Sequence, residues 1–115
     1  MNTELKNGEV WYDIKGNILH AHGGHMLFKD GFYYWYGENR TEDHYVSCYR
    51  STDLINWKFR NHILTSNSIT RATRFVTNLS ITNQAGGKVN LERPKVLYNE
   101  LTRKYATCAV VCTII

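Results

Sequence analysis

Between His20 and Arg40 the chain reads HAHGGHMLFKDGFYYWYGENR, and its apolar positions fall into two short runs divided by Asp30-Gly31. Met26 to Lys29 extends, Asp30-Gly31 supplies a tight turn that needs positive φ, and Phe32 to Gly37 returns, which predicts a β-hairpin. Side chains alternate along an extended strand, so Phe32, Tyr34, Tyr36 and Glu38 share one face while Tyr33 and Trp35 share the other. Both faces are aromatic. Such a strand has to be covered on two sides, and this favours sheets stacked on sheets over one half-solvated sheet.

The same pattern continues downstream. His44 to Arg50 (HYVSCYR) is a third extended run, and Ser51 to Trp57 (STDLINW) is a polar turn that leads into a fourth, Trp57 to Leu64. From 65 to 90 the texture changes to Ser, Thr, Asn and Gly with little periodicity, which predicts a long irregular loop containing at most a short strand near Phe75 to Ile81. Extended character resumes over Leu91 to Tyr98, turns through Asn99 to Arg103 and continues from Lys104 to the end. Helix signals are absent. A four-stranded meander with rings on both faces, followed by the start of another, predicts an all-β chain in the manner of a β-propeller, ahead of a small sandwich or open barrel.

Composition narrows the partners. A length of 115 residues with 43% hydrophobic content suits one small domain and not a disordered chain. Fourteen Lys and Arg against 10 Asp and Glu give a net charge of +4. These basic residues are scattered, and Arg71 and Arg74, the densest pair, lack a flanking aromatic platform, so no nucleic-acid partner is expected. No apolar run reaches bilayer-spanning length, so no membrane partner is expected. The opening MNTELKNGEVW has no signal-peptide core.

Cys48, Cys108 and Cys112 make an odd count, which argues against a disulfide framework. Cys108 and Cys112 on one strand would stand roughly 13 Å apart, beyond disulfide reach. All three are expected to be small thiols packed in the interior. His20 and His22 form a His-x-His pair with no carboxylate third ligand nearby, so neither a metal nor another cofactor is expected.

Four segments in order carry a family resemblance: WYDIKGNILHAHGG (Trp11 to Gly24), YYWYGEN (Tyr33 to Asn39), VSCYRSTDLINWKF (Val46 to Phe59) and ERPKVLYNELTRKY (Glu92 to Tyr105). They resemble the N-terminal part of glycoside hydrolase family 43, in the branch of exo-acting galactan β-1,3-galactosidases. The resemblance implies a five-bladed β-propeller, of which these residues would form the first blade (about 11–64) and, after the irregular 65–90 loop, part of the second (91–115). On that reading the chain is a single partial domain, and the departure of ATCAVVCTII from the family pattern suggests a frameshift or premature stop near Ala106.

The resemblance also implies a chemistry. Inverting hydrolysis uses an acid on the leaving oxygen and a base that activates water from the opposite face of the sugar. In this branch the first-blade aspartate is missing, and Ala21-His22-Gly23-Gly24 stands in its place here. The acid is a glutamate of blade three, beyond this sequence. Glu92 matches the blade-two carboxylate that orients the acid and modulates its pKa, while His22, Gly23, Glu38 and Arg93 match positions near the sugar. His25 replaces a third glycine, which questions the local backbone. Tyr33 to Tyr36 and Trp57 are expected chiefly to pack the blade.

The implied function is hydrolysis of a β-galactan-type plant polysaccharide, with this stretch alone inactive for want of the acid. The alternative is a non-catalytic carbohydrate-binding or interaction module. Either way an oligo- or polysaccharide is the expected partner, and an uncovered blade face predicts self-association or aggregation. The compartment stays open: relatives of this type are often secreted or periplasmic.

Overall fold

A computed structural model describes residues 2–41, 45–65, 69–70, 77–78 and 89–113. Among the described residues eight strands follow in order: β1 (His22–Lys29), β2 (Phe32–Asn39), β3 (Tyr45–Ser51), β4 (Lys58–Leu64), β5 (Ile69–Thr70), β6 (Thr77–Asn78), β7 (Val89–Asn99) and β8 (Lys104–Thr113). All pairings are antiparallel, and the described residues include no helix. Strands β1 to β4 form one meander in chain order, and β7 with β8 form a separate ribbon. The four expected strands and the later hairpin are therefore present. Of the segment expected as a short strand, only Thr77–Asn78 is a described strand, paired with Ile69–Thr70; the rest of 75–81 lies outside the described residues.

Local chemistry explains the turns. Asp30 and Gly31 both take positive φ (51° and 83°), as the two central residues of a mirror-image hairpin turn must. In the β3–β4 connection the Asp53 carboxylate accepts from the Ile55 and Asn56 main-chain N–H groups, the Asn56 side chain and the Ser51 hydroxyl. Those bonds to its charged form hold the Asp53 carboxyl well below the usual range. Ser51 Oγ in turn accepts from the Asp53 and Leu54 N–H groups, and the Trp57 indole donates to the Leu54 carbonyl at 3.1 Å. The serine, aspartate and tryptophan of STDLINW thus each close part of one turn.

The two faces of β2 are covered by different partners. Tyr36 packs with Val46, Cys48 and Val96, and Leu27, Tyr34, Ile63 and Leu64 border this cluster, so the β7–β8 ribbon lies against the meander on that side. Lys29 Nζ caps the seam 4.0 Å above the Tyr98 ring. On the other face Trp35 meets Trp57 edge-on at 5.2 Å and Trp11 at 6.0 Å, above a cluster of Ala21, Tyr49 and Trp57. That cover comes from the chain's own residues 11–21 and the Trp57 turn. The N-terminal segment is tied down by main-chain bonds from Ile14 to Trp57 and from Leu19 to Trp11, and by the His20 N–H donating to the Tyr49 hydroxyl. The expectation that the rings bind the meander to flanking sheets thus needs correction for Tyr33 and Trp35, because the N-terminal segment reaches their face first.

Cys48 is a buried free thiol, and burial pushes it up to about 11. The side chains of Cys108 and Cys112 lie outside the described residues. On β8 their backbones pair with Lys95 and Asn90.

Candidate functional site

Two close approaches of backbone build the site. Residues 20–24 cross the end of β2 so tightly that a Cβ on Gly37 would fall within the backbone of Ala21, and one on Gly24 would lie 2.7 Å from the Tyr36 carbonyl oxygen. Glycine is therefore required at 37 for space, whatever its φ. The ladder between β1 and β2 is irregular from His22 to His25, and Gly23 takes φ +56° inside that bulge. His25, where the family pattern has glycine, pairs with Tyr36 and has no positive φ, so histidine is accommodated there.

The crossing sets His22 opposite Glu38 as register partners. Glu38 is buried, with 3% exposure, while His22 is exposed. A buried carboxylate is costly unless its charge is met by donors. Here Oε2 accepts from Arg40 Nε and Nη2, both at 2.9 Å, and Oε1 accepts from the main-chain N–H of Arg93 at 2.9 Å. Gly23 lies against the same carboxylate, since a Cβ there would come 2.9 Å from Oε1.

Arg93 brings the second sheet into the site. The β7–β8 register jumps between Glu92 and Lys95, leaving a bulge that holds Arg93 at φ 49° and the buried Pro94. Proline has no N–H to give a ladder, so a bulge is where a paired strand tolerates it. The backbone of Glu92 pairs with Val110, and β7 begins three residues earlier, at Val89. Glu92 thus stands inside a strand beside a bulge and not at the strand mouth, because β8 is long enough to pair with the residues before it. Its side chain lies outside the described residues.

His22 and Gly23, Glu38, and Arg93, from three separate stretches of the sequence, come together where the meander meets the ribbon, and the backbone of Glu92 adjoins them. Arg40, just past the end of β2 and in none of the motifs, is the charge partner of Glu38; its signal was a guanidinium two residues after a carboxylate. His22 also borders a groove of about 380 Å³ shared with Glu9, Trp11, His20 and Trp35. The His20 and His22 ring centroids are 6.3 Å apart. Exposed donors at His22 and Arg93, a fixed carboxylate between them and indole rings alongside are the groups that a polyhydroxylated ring with apolar C–H faces requires.

Neither a protein-family model nor a curated protein sequence matches the chain. Solved structures do. An exo-β-1,3-galactanase from Clostridium thermocellum is 40% identical over 90% of this chain, with a TM-score of 0.68. A β-1,3-galactosidase of glycoside hydrolase family 43 is 36% identical over 98% of it, with a TM-score of 0.79. An exo-β-1,3-galactanase from Phanerochaete chrysosporium, solved with galactose, is 29% identical over 92%, with a TM-score of 0.70. This chain spans 20%, 23% and 23% of those three proteins. The chain is thus similar over most of its length to part of proteins of glycoside hydrolase family 43. Within that family its likeness is to the exo-β-1,3-galactanases and β-1,3-galactosidases.

Proposed function

We propose that these residues form the galactose-binding first part of an inverting exo-β-1,3-galactanase. The β1–β4 meander is the first blade of a five-bladed propeller, and β7–β8 opens the second. The observation that carries this reading is the buried Glu38 carboxylate at the junction of the two sheets, with His22 across from it and the Arg93 main chain bound to it. A monosaccharide seated there meets donors from the exposed His22 and Arg93 side chains, beside Gly23 and the Glu38 carboxylate that holds this junction together. Glu92 is assigned to orient the acid and tune its pKa. The acid itself is assigned to a glutamate of blade three, outside these residues. In this division of labour the present segment holds and orients the sugar, and proton transfer to the leaving oxygen belongs to the third blade.

Calorimetric titration of the chain with β-1,3-galactobiose and with β-1,4-xylobiose tests the assignment. Binding of the galactobiose alone is expected, weakened about tenfold by His22→Ala or Arg93→Ala, the size of a lost hydrogen bond to a charged or polar ligand group. Equal binding of both sugars, or of neither, would refute it. Sugar release by the 115-residue chain alone would overturn the placement of the acid in blade three.

A further inference from the structure

Glu38 spends one oxygen on a donor 55 residues away that no ladder uses. The β7–β8 register skips Arg93 and Pro94, Pro94 carries no N–H, and the Arg93 N–H is taken by Glu38 Oε1 at 2.9 Å. Arg93 holds φ 49°, a left-handed conformation unfavourable for any residue with a Cβ, which persists only when its surroundings over-determine it. The opposite oxygen is held by two guanidinium nitrogens of Arg40, so the carboxylate cannot swing away without breaking a charge-assisted pair. Gly23 completes the arrangement by leaving Oε1 the room that a side chain would occupy.

We infer that Glu38 is a positioning residue: anchored by Arg40, it clasps the second sheet to the first through the Arg93 N–H, holds the bulge in its left-handed form and so sets the backbone of Glu92. This role is additional to any contact with sugar. It rests on the reading of Glu92 given above only for its catalytic meaning, since the clasp itself needs no ligand.

Amide exchange and main-chain chemical shifts by NMR on the full chain test it. In Glu38→Ala the Arg93 amide is expected to exchange at least tenfold faster, the consequence of losing a hydrogen bond to a charged acceptor, while the Val46 and Tyr49 amides keep their protection. Glu38→Gln keeps an oxygen acceptor and should restore most of the protection at Arg93. The main-chain chemical shifts of Glu92 should move in Glu38→Ala and return in Glu38→Gln, a pattern that general loosening would not produce. Should Glu38→Ala not fold, Gly23→Ala presses directly on Oε1 and should give the same signature at Arg93. Arg93 exchange within twofold of the parent, or Glu92 main-chain shifts unmoved while Arg93 is freed, would overturn the inference. If Arg93 responds but galactobiose does not bind, the clasp stands and the proposed function falls.

Discussion

Replacing Gly37 by alanine drives a methyl group into the backbone of Ala21, and the three atoms it meets first are all main-chain atoms of that residue. No rotamer change relieves such an overlap. To restore ordinary carbon contact at about 3.5–4 Å the N-terminal segment must withdraw by roughly one ångström or more. Ala21 is buried beside Tyr49 and Trp57, so withdrawal opens that cluster and strains the 3.1 Å bond from the His20 N–H to the Tyr49 hydroxyl. Overpacking of this kind costs about 1–3 kcal/mol and a lost hydrogen bond about 1 kcal/mol, giving about 3 kcal/mol in total. Urea unfolding followed by tryptophan emission suits the measurement, because Trp35 contacts both Trp11 and Trp57 beneath this segment. With a slope of about 1.5 kcal/mol per molar urea the midpoint should fall by about 2 M. Gly8→Ala is the control: its φ is +83° with no atom within 4 Å of the added Cβ, so only conformational strain of about 1 kcal/mol applies. A Gly37→Ala loss no greater than that of Gly8→Ala would refute the close crossing and, with it, the placement of His22 against Glu38.

Val96, 2% exposed in the seam between the two sheets, should cost about 2 kcal/mol when cut to alanine, measured by calorimetric melting; a loss under about 0.5 kcal/mol would mean that ribbon and meander do not pack there. Asp53 has its pKa lowered on folding, so its contribution is present above the unfolded value of 3.8 and is lost as the pH falls below it. The melting temperature should therefore drop with acidification below about pH 4, and Asp53→Asn should lower it at neutral pH while flattening that acid limb. An acid limb as steep in Asp53→Asn as in the parent would place the titrating group elsewhere.

The period-2 alternation of Phe32 to Glu38, the Asp30-Gly31 pair and the STDLINW turn act within a few residues, so hairpin, meander and turn were legible in the sequence by itself. Steric limits on φ and hydrogen bonds between near neighbours suffice to set such elements. The gathering of His22, Gly23, Glu38 and Arg93 was legible only through resemblance, as no spacing rule joins residue 38 to residue 93. What only the tertiary structure decided is who covers whom: that the N-terminal segment shields Trp35, that Gly37 exists for Ala21, and that Glu38 is an enclosed, doubly held carboxylate at a seam. A carboxylate's surroundings come from chain segments brought together by folding. One strand can announce that both its faces must be buried, but it has no means of naming the partners that bury them.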